Sequence, residues 1–126
     1  MKRRTRVFVT FDFDHDKVLK DFVIGQARLP DSPFHVSDHS LKEAAPQRDW
    51  EVKARAAISR ADKFIVMLGP KTRYSSGVKK EVAMATSLGK PRFQIIGYRN
   101  GSRTWAIPGA GVTYSWNWAN LKKLLG

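Results

Sequence analysis

Cysteine is absent from this 126-residue chain, which excludes a disulfide framework and thiolate chemistry. Long apolar runs are absent too. The longest, Phe64-Ile65-Val66-Met67-Leu68, is far too short to span a bilayer, as is Phe22-Val23-Ile24. No Gly-x-Gly-x-x-Gly turn follows the first strand pattern and no P-loop occurs, which argues against a Rossmann dehydrogenase or a nucleotide triphosphatase. His15, His35 and His39 lack paired metal-ligand spacing. Ser37, Ser40, Ser75 and Ser76 stand outside any nucleophile-elbow context. The basic N-terminus, Met1 to Arg6, leads straight into a strand pattern with no signal-peptide core. A cytoplasmic protein without a membrane segment is the expectation. Glutamate is scarce as well: only Glu43, Glu51 and Glu81 stand against 23 Lys+Arg.

What is present suits one folded domain spanning 1–126. The chain is 42% hydrophobic, enough for a core, and carries a net charge of +12. That charge favours anionic partners such as phosphate-bearing cofactors or nucleic acid. Its lysines and arginines are scattered, with no basic run or low-complexity tail.

Strand and helix patterns alternate along the chain. Arg6 to Phe11 is β-branched and aromatic, a strand. A turn at Asp12–Asp14 leads to a helix over Lys17–Ala27. A short strand at Phe34–Ser37 is followed by a polar loop, then by a helix to Arg60 with Asp49 as its N-cap. Lys63–Leu68 is nearly all apolar, the pattern of a strand covered on both faces. A helix from Ser75–Ser76 to Gly89, a strand over Arg92–Gly97, a Gly- and Pro-rich stretch, a strand at Val112–Tyr114 and a helix over Asn117–Leu125 complete the chain. The alternation implies βαβ units, hence an α/β, flavodoxin-like three-layer sandwich around a central parallel sheet of four or five strands. Ligands in such sheets bind beyond the carboxyl ends of the strands.

One glutamate is awkwardly placed. In the helix after Ser75, a 3.6-residue period puts Val78, Val82, Ala85 and Leu88 on one apolar stripe. Glu81 falls on that side, between Ala85 and Leu88, and not among the lysines. A capping box would need the acid three residues after the Ser cap, at 78 or 79. A helical ion pair would need a cation three or four residues away, but those positions hold Gly77, Val78, Met84 and Ala85. A carboxylate at the edge of a buried stripe must be satisfied by something. The residues alone leave two readings open, a cation from another element or a substrate.

Other clusters have ordinary explanations. Asp12, Asp14, His15 and Asp16 follow the first strand and could suit a hard metal ion, as in receiver domains. A receiver also needs an acceptor Asp at the end of the central strand, where this chain has Met67-Leu68-Gly69-Pro70. Asp14 and Asp16 therefore read as a helix N-terminus, with no metal site, while Asp12 stands nearer the strand tip. Trp116 and Trp118 read as packing for the last helix. The loop from Asp38 to Asp49 is long for its place, and long loops on this edge are often functional.

Together these landmarks resemble a TIR domain. Val7-Phe8-Val9-Thr10-Phe11 is similar to its first box, and the 38–49 loop to its BB loop. Ala57 to Leu68 resembles its helix-to-strand passage. Val78-Lys79-Lys80-Glu81-Val82, followed by Leu88-Gly89-Lys90-Pro91 and Phe93-Gln94-Ile95-Ile96, resembles the segment that carries the family's glutamate. Trp116 stands where the aromatic third box would fall. Phe13-Asp14 and Ser40 to Pro46 are similar to the prokaryotic TIR-like branch related to the Thoeris antiphage-defence proteins. One departure is Gly77, four residues before the glutamate, where many TIR domains carry Trp.

In enzymatic TIR domains that glutamate cleaves NAD⁺ at the nicotinamide–ribose bond, so the resemblance implies a catalytic Glu81. By position, Phe11, Asp12, Ser40, Trp50 and Ser76 are the residues expected against the dinucleotide. NAD⁺ is then a substrate, and no cofactor is called for. The product is linear or cyclic ADP-ribose, the latter a signal to an effector protein. Self-association through TIR–TIR contacts is also implied. Two alternatives remain: a TIR module that only self-associates, and, ranked last, a basic nucleic-acid binder, for which no helix-turn-helix, aromatic RNP strand or zinc pattern is present.

Overall fold

Apolar alternation in the first strand, β1 (Thr5–Thr10), sends Val7 and Val9 to one side of the sheet and Phe8 to the other. The computed structural model describes residues 5–12, 17–29, 32, 34–39, 47–96, 106–115, 119 and 123–124. After β1 come α1 (Lys17–Ala27), β2 (Phe34–His39), α2 (Gln47–Arg60), β3 (Lys63–Leu68), α3 (Ser76–Ser87), β4 (Arg92–Ile96) and β5 (Thr113–Ser115). A single 3-10 turn at Thr72–Tyr74 precedes α3. All five strands are parallel, in the order β2-β1-β3-β4-β5. This is the flavodoxin-like order, and it fixes the topological switch point between β1 and β3, where the chain reverses its direction of travel across the sheet.

Two apolar layers sandwich the sheet. On one side Leu19, Val23 and Ala27 of α1, four residues apart, pack on Val7, Val9, Phe34, Ile65, Met67, Phe93 and Ile95. On the other, Ala57 and Ile58 of α2 and Val78, Val82 and Ala85 of α3 cover Phe8, Phe64, Val66 and Leu68. The rings of Phe8 and Phe64 stack there with centroids 5.7 Å apart. β3 is central, and Phe64 to Leu68 are all buried, which is why it reads as an unbroken apolar run.

Some boundaries differ from the expectations. β2 continues through His39, because its pairing with β1 skips a register position between Val7 and Phe8 and then resumes at Asp38 and His39. α2 begins at Gln47, so Asp49 lies inside its first turn rather than at the cap. There an acid still complements the helix dipole. The connection between β2 and α2 thus shortens to residues 40–46, which lie outside the described residues, as do Asp14, His15, Asp16, Trp116 and Trp118. Of the expected last helix, Ala119, Lys123 and Leu124 are described and helical. Among the described residues no helix is long and apolar enough to cross a membrane.

The segment before β5 is held by one buried side chain. Gln94 of β4 is 1% exposed. Its Oε1 accepts from the Ile107 N–H at 2.7 Å, and its Nε2 donates to the carbonyls of Ile107 at 3.2 Å and Gly111 at 2.9 Å. A polar side chain at this depth satisfies backbone groups that no strand ladder reaches.

Candidate functional site

α3 owes its ends to local chemistry. The Ser75 side chain accepts from the Val78 N–H at 3.2 Å, the N-cap expected for a Ser start. At the other end Gly89 adopts φ 66. The Gly89 N–H donates to the Thr86 carbonyl and the Lys90 N–H to the Ala85 carbonyl, a Schellman stop. Between them Glu81 lies on the buried stripe with Val78, Val82 and Ala85.

The side chain of Glu81 is 1% exposed. Its Oε1 accepts a hydrogen bond from the hydroxyl of Thr10 at 2.8 Å. Thr10 is the last residue of β1 and fully buried. The pair joins residues 71 apart in sequence and sets the carboxylate at the carboxyl end of β1, beside the switch point. A hydrogen bond to a charged acceptor is worth about 1.5–3 kcal/mol, more than a neutral one, and it also removes rotational freedom from the glutamate.

The expected contact residues are distributed unevenly around this pair. Asp12, two residues beyond Thr10, is 5% exposed. Trp50, in the first turn of α2, is also 5% exposed. The Lys80 ammonium stands 5.9 Å from the centre of the Trp50 ring and 3.5 Å from a Glu51 oxygen. Trp50 therefore lies along the seam between α2 and α3, against the residue next to Glu81. Ser76 is exposed at the first turn of α3, about 7.5 Å from Glu81 along the helix axis. Phe11 is buried in the α1 layer with Val9 and Leu19, across the sheet from Glu81. Ser40 lies outside the described residues. Thr10 is thus bonded to Glu81; Asp12 follows Thr10 by two positions, Trp50 stands by Lys80, the neighbour of Glu81, and Phe11 lies on the opposite face of the sheet.

Thr10 is not marked as a site residue by the sequence alone, although it carries a signal. In Val7-Phe8-Val9-Thr10-Phe11 it is the one polar residue of a strand otherwise apolar on both faces, and such a residue needs a buried partner. Among the described residues no group of three or more His, Asp or Glu is arranged to hold a metal ion.

A groove of about 750 Å³ runs along the other flank of α3, against the segment Ile107–Gly109. Glu81 does not line it. Ala83, which does, points roughly 160° around the helix from Glu81.

The Thr10–Glu81 pair fixes a carboxyl group at a strand edge where ligands bind in this topology. In its ionised form such a group stabilises a cationic sugar carbon. In the present arrangement it is enclosed, so a substrate reaches it only by displacing the groups that cover it.

Comparison with known proteins agrees with this architecture. A family described as "Thoeris protein ThsB, TIR-like domain" matches residues 8–102. A solved structure similar to this one is that of the CMP N-glycosidase BcmB of Clostridium botulinum. It shares 19% identity over 94% of this chain and 97% of that chain, with a TM-score of 0.55, a likeness of fold. Among curated proteins no sequence matches. With the family match spanning most of its length, from within β1 to beyond β4, the chain belongs to the TIR-like domain family of the Thoeris protein ThsB.

Proposed function

We propose that this domain cleaves the bond between ribose C1′ and the base nitrogen of a nucleotide, with NAD⁺ as substrate and Glu81 as the catalytic carboxylate. The observation that carries the reading is the Thr10–Glu81 pair, a carboxylate held at 2.8 Å by a strand hydroxyl at the switch point. Membership of the ThsB TIR-like family supports it. So does the shared fold of a protein that removes a base from CMP, a reaction that breaks the same kind of bond.

The chemistry asks little of the chain. As the C1′–N bond lengthens, its electron pair leaves with the base and positive charge builds on the ribose. Nicotinamide enters as a pyridinium cation and departs neutral, so it needs no proton from the enzyme. Cytosine has no such advantage, which favours NAD⁺ as the substrate. A carboxylate beside C1′ stabilises the oxocarbenium-like transition state, as in glycoside cleavage. Water then attacks C1′ and loses a proton, giving ADP-ribose. Attack instead by a nitrogen or hydroxyl of the same molecule, which gives up any proton it carries, forms a cyclic ADP-ribose one water short of the linear product. The cyclic form would serve as a signal to an effector protein. Asp12 and Trp50 border this site in the proposal. Copies of the domain associate through TIR–TIR contacts to complete it.

The enclosure of Glu81, at 1% exposure, favours a second reading in which the pair is structural and the domain only self-associates. Incubation of the concentrated protein with NAD⁺ and, separately, with CMP, followed by chromatography of the free base, separates the two. Nicotinamide release that exceeds cytosine release is the expected result. No base from either nucleotide at any protein concentration would leave the association module.

Thr10 gives a finer prediction. Thr10→Val removes the hydroxyl and keeps the shape, and should lower kcat about tenfold to a hundredfold, the size of one hydrogen bond to a charged group. Thr10→Ser keeps the hydroxyl and should stay within about threefold of the parent chain, because one methyl group takes no part in the bond. Equal losses in both variants would mean that packing, not hydrogen bonding, is what Thr10 supplies.

A further inference from the structure

We propose that the groove between α3 and the Ile107–Gly109 segment is a second ligand site, for a small organic anion with a predominantly apolar body. The groove measures about 750 Å³, within the range of small-molecule sites. Its lining is mostly apolar, with Val82, Ala83, Ile107 and Pro108, and includes the exposed Lys79 and the half-buried Arg73. The Arg73 guanidinium also lies 4.6 Å over the Tyr74 ring and donates to the Tyr74 hydroxyl.

The far wall is pre-formed. Gln94 grips Ile107 through two hydrogen bonds and Gly111 through a third. Arg92 Nε donates to the Gly109 carbonyl at 2.6 Å, and the Ala110 N–H donates to the Ile107 carbonyl at 3.2 Å. Proline at 108 stiffens the turn further. A wall fixed before binding spares the ligand the entropy of ordering it.

The state of the groove's own polar groups selects the ligand. The Ile107 carbonyl is taken by Gln94, the Gly109 carbonyl by Arg92, and the Val82 carbonyl by the Thr86 hydroxyl at 2.8 Å. Ser87 Oγ accepts from Arg55 at 3.4 Å. The carbonyls of Val82, Ile107 and Gly109 and the Ser87 hydroxyl thus already accept hydrogen bonds, and a ligand rich in donors gains little from them. What the groove offers is apolar area and positive charge, which suits a carboxylate, sulfonate or phosphate on an aromatic or aliphatic body. A second copy of the chain is a poorer occupant of this groove, since Lys79 and Arg73 line it and each copy offers only 11 Asp+Glu against 23 Lys+Arg.

This site is separate from Glu81. On α3 the groove takes Lys79, Val82, Ala83, Thr86 and Ser87, while Glu81 turns toward β1. The inference stands whether or not the domain cleaves NAD⁺.

Fluorescence titration with 8-anilinonaphthalene-1-sulfonate, an aromatic sulfonate of suitable size, tests it. One saturable site per chain is expected. Ala83→Trp, at an exposed position of α3, fills the groove and should weaken binding about tenfold or more. Lys79→Glu, also exposed, should weaken it about fivefold and reduce its salt dependence. Glu81→Gln should bind as the parent does. Dye binding that is unchanged in both Ala83→Trp and Lys79→Glu, or lost in Glu81→Gln, would overturn the assignment.

Discussion

Replacing Glu81 by glutamine should abolish about 99–99.9% of base release while leaving the fold intact. Removing one preorganised group aimed at transition-state charge typically costs a factor of about 10²–10³, and this carboxylate is the charge assigned to the ribose cation. Glutamine keeps the length of the side chain, and its Oε1 still accepts from the Thr10 hydroxyl that now bonds at 2.8 Å. It also relieves the helix of a buried charge, which is costly to desolvate. Thermal stability should therefore hold or rise as activity falls. That opposite movement separates a catalytic carboxylate from a structural one. Glu81→Ala is the poorer test, because it strands the buried Thr10 hydroxyl and opens a cavity, so both activity and stability fall.

The second large effect concerns stability. Gly111→Ala should cost about 3 kcal/mol, for two reasons that add. Gly111 has φ +90, a conformation that alanine adopts only under strain. A Cβ built there would also lie 2.2 Å from the Arg92 carbonyl oxygen and 3.2 Å from the Phe93 Cα. Both are backbone atoms of β4 and have no rotamer by which to withdraw. Relief requires Gly111 to move off β4, yet its carbonyl accepts from Gln94 Nε2 and the next residue's carbonyl accepts from the Gln94 N–H at 2.9 Å. The lost bonds would uncouple β5 from the sheet. Urea unfolding should show the midpoint falling with the slope unchanged, and the melting temperature should drop by about 10 °C. A midpoint within experimental error of the parent would show that the segment repacks without strain. Gly109→Ala is the control. It shares a positive φ of +83 but has no atom within 4 Å of the added carbon, so it should lose only about 1 kcal/mol.

Where the sequence was legible, a strong local signal and the tertiary structure pointed the same way. α1 and β3 begin and end where periodicity and flanking residues put them, at Lys17–Ala27 and Lys63–Leu68. Ser75 and Gly89 bound α3 as cap and stop. The burial of Glu81 followed from its position on the helical stripe, since a 3.6-residue period leaves a side chain at that angle nowhere else to go.

The residues that escaped the reading depend on contacts distant in sequence. That Thr10 meets Glu81 follows from the placement of α3 over β1, and nothing local in either segment announces it. Phe11 stands at a strand tip, the position expected of a site residue, whereas alternation carries it with Val7 and Val9 into the α1 layer. Period 2 was visible in the sequence, but which face held the site was not. β2 gained Asp38 and His39 because an irregularity in its pairing with β1 lets the ladder run on, and turn-forming residues gave no sign of that. Gln94 resembled any polar residue in a strand until the Ile107 and Gly111 backbone groups came to meet it.

A crystal structure of the Glu81→Gln protein with NAD⁺ bound would test the central assignment most directly, since the isosteric amide should hold the dinucleotide uncleaved. The expected result is the residue 81 side chain within hydrogen-bond reach, about 3 Å, of the nicotinamide ribose, with Thr10 still against its other side and the covering groups displaced. Dinucleotide bound elsewhere, with residue 81 still enclosed against Thr10 and out of reach of any ribose atom, would contradict it.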